Sequence, residues 1–315
     1  MFKSWATRVG ISVLMMSLFL NFTLISANAP APEAYREDFV SGDHAAQERI
    51  VVLSISGTIM PPFTERTIEL IKRCEKNDDV KGVVLSVDSP GGFVADSHQI
   101  YRELKRLAEK KPIYVSMKRM AASGGVYVAM GVGEKGKIFA EPTTWTGSIG
   151  VIIPRYDFSK LAEKFGVSSD SLTTGPFKDS MNPLKPLNEA EREVWRAVID
   201  DSFDRFVSIV DEGRANLDEQ SVRTKLATGQ VFTAKQAKDL GLIDDIAFED
   251  EVTERLKESL GLSKVRVVKY KHQPTIIEEL IGSVKADSTE QMWQKVLDAS
   301  VPRAMYYCSW LPALP

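Results

Sequence analysis

Three observations predict an α/β fold built on a mostly parallel sheet. Short β-branched runs alternate with helical segments, the runs are apolar at nearly every position, and glycine-rich turns stand where strands hand over to helices. A strand that is apolar throughout is buried on both faces, so its parallel neighbours must be joined through covering helices. The 315 residues, 43% hydrophobic and 26% charged, supply a sizeable core and exclude a disordered or fibrous chain. Length allows one large domain or two small ones.

Residues 1–29 stand apart. Lys3 and Arg8 flank the start of Val9–Ala27, a 19-residue stretch without a charge, about the thickness of a bilayer's hydrocarbon if helical. It reads as a membrane anchor or a secretory signal. Ala27-Asn28-Ala29 offers a small-x-small cleavage pattern, but Pro30 beyond it lacks an amide hydrogen, which favours an uncleaved anchor. The basic residues precede the span and acid outweighs base over 30–48, which places the bulk of the chain outside the cytoplasm, at the cell (inner) membrane if anchored and secreted or periplasmic if cleaved.

Residues 30–48, polar and containing Pro and Ala, read as a linker. Ile50–Gly57 reads as a strand, Thr64–Asn77 as an amphipathic helix, Val80–Asp88 as a strand, Phe93–Lys110 as a helix and Pro112–Met117 as a strand. A short apolar helix (Val126–Met130), strands Lys137–Ala140 and Gly147–Ile153, and a helix near Asp157–Phe165 follow. Asn188–Gly213 reads as a helix with Trp195, Ile199, Phe206 and Val210 on one face, a stripe that is core or oligomer contact, with core favoured. Thr233–Leu242, Glu249–Leu260 and a strand at Lys264–Lys269 complete the pattern. Residues 49–262 form the main domain and 263–315 a C-terminal extension, which from Pro274 reads as two helices and an apolar end, Ala304–Leu314, of undisclosed role.

The 40 basic and 43 acidic residues leave a net charge of −3, with no basic excess for nucleic acid. Two cysteines, Cys74 and Cys308, and three scattered histidines give no material for a zinc site, so no metal or other cofactor is expected.

Three constellations fall where strands end, the place where open α/β sheets build their sites. Asp88-Ser89-Pro90-Gly91-Gly92 can aim backbone amides at an anionic oxygen, or can be a turn required only by geometry. In Ala121-Ala122-Ser123-Gly124-Gly125 the small neighbours leave room for a substrate to reach the Ser123 hydroxyl, and the Gly124 amide could be a second oxyanion donor; Ser123 could equally be a helix N-cap. Thr146-Gly147-Ser148-Ile149-Gly150 reads by default as a glycine-punctuated strand start. A hydroxyl nucleophile needs a base. His44 lies in the linker, His272 in the tail and His98 in a helix, so a histidine triad has poor candidates. A lysine serves if desolvation keeps it neutral, and Lys178, after a Gly175-Pro176 turn and Phe177, an aromatic residue that could exclude water, is one candidate; an exposed lysine is the alternative.

These blocks, with Lys111–Met117, Met120–Tyr127, Thr146–Ile152 and Gly175–Asp179 in order over about 50–262, resemble the signal peptide peptidase A (SppA) family of membrane-bound serine proteases. That resemblance implies the spiral of ββα units shared with the Clp protease and the crotonases. It implies Ser123 as nucleophile, Lys178 as general base, Gly91 and Gly92 with Gly124 as oxyanion hole, and Ser148 as the residue orienting the lysine. It also implies homo-oligomers with some sites assembled across neighbours, no cofactor, and remnant signal peptides or other unfolded or membrane-released peptides as substrates, with small or apolar side chains accepted at the cleavage point. Two alternatives share the fold: a non-catalytic membrane scaffold and a crotonase-like acyl-CoA enzyme.

Overall fold

The computed structural model describes residues 16–17, 35–133, 135–272 and 304–308. The elements begin β1 (Tyr35–Gly42), β2 (Arg49–Ser56), α1 (Phe63–Lys76), β3 (Val80–Ser89), β4 (Gly91–Phe93), α2 (Val94–Ala108), β5 (Ile113–Ala122) and α3 (Gly124–Ala129). They continue β6 (Lys137–Ala140), β7 (Trp145–Gly147), α4 (Ser159–Lys164), α5 (Glu189–Gly213), α6 (Glu219–Ser221), β8 (Val231–Thr233) and α7 (Ala234–Asp239). Last come β9 (Asp245–Ile246), α8 (Glu249–Ser259), β10 (Arg266–His272) and β11 (Met305–Tyr307).

The main sheet runs β1-β10-β2-β3-β5-β6-β9, parallel from β10 to β9, with β1 antiparallel on one edge. Its inner strands β2 and β3 are apolar at most positions because alternate side chains enter different cores. Val51, Leu53 and Ile55 join Ile71, Ile100 and Leu104 of α1 and α2 on one face. Ile50 and Val52 join Val252 and Leu256 of α8 on the other. This is the layered α/β arrangement that the sequence predicts. β5 serves two neighbours: its first half pairs with β6, and Met120–Ala122 pairs with β7, which turns antiparallel to β8. Ser123 is therefore delivered at the carboxyl end of a central strand.

The structure departs from the sequence reading at several points. Residues 35–42, inside the stretch expected to be a linker, form edge strand β1, whose pattern is polar because Tyr35 is its one buried residue. The strand expected over Gly147–Ile153 stops at Gly147, since Ser148 takes φ 50° and leaves the ladder. The stripe on α5 is divided: Phe206 and Val210 are buried in the core, whereas Trp195 and Ile199 are half-buried and Val194 and Val198 exposed. Among the described residues no helix is long and apolar enough to cross a membrane. The expected anchor lies outside the described residues, Met16 and Ser17 excepted, as do the helices expected from Pro274.

The start of α5 is fixed by reciprocal bonds. Asn188 Oδ1 accepts the Glu191 N–H at 2.9 Å, and a Glu191 carboxylate oxygen accepts the Asn188 N–H at 3.0 Å. Asn188→Ala should cost about 1 kcal/mol of stability, read as a lower Tm; an unchanged Tm would show that the cap does not hold the helix. The Lys185 hydrogen bond, then the Asn188 amide, hold Glu191 below the usual carboxylate range. The contribution of this carboxylate is thus fully present above its unfolded pKa and lost as pH falls through the folded one.

Candidate active site

The turn after β3 is tied down by its own side chains. Ser89 Oγ donates to the Gly57 carbonyl at 2.6 Å and accepts the Gly91 N–H at 3.1 Å. Asp88 accepts from Arg119 Nε at 2.8 Å and from the Met120 N–H at 3.3 Å, which joins this turn to β5. Gly91 has φ +106°, and a Cβ there would lie 2.0 Å from the Tyr306 carbonyl oxygen and 2.8 Å from the Gly124 nitrogen. A Cβ on Gly92 would lie 1.9 Å from the Ile59 carbonyl oxygen. A Cβ on Gly124 would lie 3.0 Å from both Gly91 Cα and Gly92 N. Three backbones thus converge with no space for a side chain, which only glycine permits.

Ser123 follows β5 with φ 52° and ψ −110°. Among the described residues it and Ser148 are the non-glycine positions with positive φ, a conformation that costs about 1–3 kcal/mol and persists only when neighbours impose it. The neighbours are identifiable. The Ser123 N–H donates to the Gly147 carbonyl at 2.7 Å, its carbonyl accepts the Tyr127 N–H at 2.9 Å, and the Ser148 N–H donates to the Gln230 carbonyl at 2.6 Å. Ser123 is fully buried, and its Oγ has no hydrogen-bond partner among the described residues. It stands at the N-cap position of α3 but makes no side-chain capping bond to it, so its hydroxyl is not engaged in holding the helix. A buried hydroxyl left unbonded costs about 1–3 kcal/mol; Ser54, Ser97 and Ser116 share that state, and it is the positive φ beside it that sets Ser123 apart from them.

The structure therefore brings Gly91, Gly92, Ser123, Gly124 and Ser148 together. No hydrogen bond or ion pair ties Lys178 to them among the described residues. It lies in the segment between α4 and α5, exposed, and its side chain makes no hydrogen bond or ion pair among the described residues. Phe177, expected to keep water from it, is itself 46% exposed. The sequence spacing predicts a turn here and carries no information on what covers it. Tyr156, Phe158, Leu161, Phe165 and Leu172 of the same region are exposed as well.

The end of the chain completes the geometry. β11 pairs antiparallel with β4, Tyr306 opposite Gly92 and Tyr307 opposite Gly91. On its other side Met305 exchanges hydrogen bonds with Ile152 at 2.9 and 3.0 Å, while the Cys308 N–H donates to the Pro90 carbonyl at 2.9 Å. Residues 304–308 thus lie extended in a groove between the glycine turn and the strand end near Ser148, with the Tyr306 carbonyl presented to the glycine cradle. Tyr307 and Cys308 continue into a cleft of about 860 Å³ that Trp145, Ser148 and Gln230 also line. The sequence reading left this segment without a role; its signal was the short β-prone run Met305-Tyr306-Tyr307.

The chain matches the Peptidase family S49 profile over residues 105–263 and the Clp protease profile over 37–146. It is 33% identical over 286 residues to a protein of Enterococcus faecium named for signal peptide peptidase SppA, covering 84% of this chain and 82% of that one. It is 30% identical over 229 residues to the chloroplastic serine protease SPPA of Arabidopsis thaliana, covering 70% of this chain and 33% of the other. With Protease 4 of Salmonella typhi it shares 31% identity over 239 residues, 76% of this chain and 38% of the longer protein.

Proposed function

As the chain belongs to peptidase family S49, we propose that it is a serine endopeptidase in which Ser123 is the nucleophile and Lys178 of a neighbouring subunit the general base. The observation that carries this reading is the buried, unbonded Ser123 hydroxyl on a strained turn, beside three converging glycines. As Oγ bonds to the substrate carbonyl carbon, the lysine amine takes its proton. The amides of Gly92 and Gly124 hold the oxyanion. The lysine then passes the proton to the leaving amine as the C–N bond breaks, and water activated by the same amine hydrolyses the acyl-enzyme. Gly91 gives clearance rather than a donor, because its N–H is already bonded to Ser89 Oγ. Ser148, on the next strand end, orients the lysine.

Two observations support a base from another subunit. Ser123 Oγ has no hydrogen-bond partner among the described residues, and Lys178 lies among exposed apolar side chains of the kind that mark an association surface. Enclosure by a second copy would supply the desolvation that an amine base requires. The groove grips main chain along β4, a mode that accepts many sequences and suits remnant signal peptides and other unfolded or membrane-released peptides. Segment 1–29 holds the enzyme at the membrane with the catalytic domain on the extracytoplasmic side.

The test is to treat the detergent-extracted full chain with a serine-directed fluorophosphonate and a signal-peptide substrate. Label on Ser123, with labelling and cleavage both lost in Ser123→Ala, supports the reading. Label elsewhere, or cleavage by Ser123→Ala at the parental rate, refutes it. Gly92→Ala, which drives a Cβ into the Ile59 carbonyl, should cost at least about a hundredfold in turnover by displacing an oxyanion donor.

A further inference from the structure

A second cleft, of about 370 Å³, opens between the first half of α5 and the segments around Ile153 and Leu187. Three guanidinium groups line it, those of Arg155, Arg192 and Arg196, against one carboxylate, Asp200. Arg192, Trp195, Arg196 and Ile199 share one face of α5 by helical spacing, and the Trp195 indole is fixed by its N–H donated to Ser180 Oγ at 2.9 Å. The arginines are held differently. Arg155 is rigid: its Nη2 donates to the Asn182 and Lys185 carbonyls, its Nη1 lies 3.6 Å from Asp157, and its buried Nε has no partner among the described residues. Arg192 faces Glu189 at 3.6 Å, with both side chains in solvent, and such a pair holds weakly. Arg196 makes no hydrogen bond or ion pair among the described residues, not even with Asp200 one turn on. A cleft with apolar walls thus carries one uncommitted guanidinium and a second that is loosely held.

This cleft continues the substrate groove. Ile153, in its wall, follows Ile152, whose amide and carbonyl are the antiparallel partners of Met305. A chain running in that direction sets its second residue before the cut bond opposite Ile152, so its third to fifth residues pass Ile153 to Arg155. We propose that the cleft is an exosite for an acidic side chain, Asp or Glu, at one of those places. Arg196 and Arg192 would take the carboxylate, while Ile153, Trp195 and Ile199 cover its methylene stem. The inference rests on the peptidase reading above and adds to it a charge preference away from the cut bond. Guanidinium forks match a carboxylate in geometry as well as in charge. A lysine at the same place would meet three like charges. Signal peptides begin with a basic stretch, so in a remnant the exosite directs cutting away from that stretch.

The experiment takes one peptide that the full-length enzyme cuts and places Glu, Gln or Lys at the third, fourth or fifth residue before the cut bond. It reads kcat and KM at low and at high salt, with the bond confirmed by mass spectrometry. At one of these places Glu should lower KM about tenfold relative to Gln and Lys should raise it, with kcat unchanged, because the contact is made in the ground state and the transition state alike. High salt should shrink both differences. Arg196→Glu should reverse the order, favouring Lys over Glu, and Arg196→Lys should keep it. Equal KM for the three residues at every place, as a cleft filled by a second subunit would give, or a Glu preference untouched by Arg196→Glu, with Ser123 still labelled by the fluorophosphonate, would overturn the exosite and leave the peptidase reading standing. No cleavage and no label would overturn the peptidase reading and the exosite with it.

Discussion

Ser123→Ala and Lys178→Ala subunits, each inactive alone, should recover activity when they are mixed, denatured and reassembled together. Each substitution removes one half of a unit that works only as a whole, so each alone should lose roughly 10⁴ to 10⁶-fold in turnover. In an assembly where every serine meets the lysine of its neighbour, a Lys178→Ala subunit still carries Ser123, and a Ser123→Ala subunit beside it still carries Lys178. Random mixing of equal amounts makes about one site in four complete. If both groups came from the same chain, no mixed site would be complete and the mixture would stay inactive. The readout is steady-state cleavage of a signal-peptide substrate, with fluorophosphonate labelling to count the serines that have regained a base. Reassembled mixtures with no activity, alongside fully active reassembled parent protein, would remove the shared site and require a base within the chain.

The reason this experiment is needed shows how far the sequence could be read. β2, β3 and β5 were legible because each carries an apolar side chain to both faces, and a run such as Val83-Val84-Leu85 has few other places to go. The glycine turn was legible for the same kind of reason, since Gly91 and Gly92 leave no space for anything larger. Ser123 was found by its neighbours rather than by its own conformation; no residue type announces a positive φ on a serine, which Gly147 and Tyr127 impose from elsewhere in the chain. β1 was missed because an edge strand of this sheet tolerates polar side chains on both faces. The surroundings of Lys178 were illegible for a different reason. Local periodicity does not report what lies against an exposed loop, and the expectation that Phe177 would exclude water there is not met, since its ring is exposed.

Deleting residues 304–315 should raise cleavage of short peptides by roughly tenfold. Main-chain pairing with β4 and with Ile152 is the same pairing an extended substrate would use, and the Tyr306 ring fills the pocket beside Ser123. Tail and substrate therefore compete for one groove. A tethered segment acts at an effective concentration of about millimolar, so even a weak docked state excludes substrate for most of the time. Competition of this kind changes apparent KM and leaves kcat alone, because a substrate that has displaced the tail meets an unaltered Ser123. Tyr306→Ala should act in the same direction and less strongly, since it removes the buried ring and the bond to Ser202 but keeps the strand pairing. A lower KM at constant kcat in both variants is the expected outcome. A fall in kcat with unchanged KM on deletion would mean that the tail supports the site rather than competing for it, and an unchanged rate would mean that the groove is open in solution.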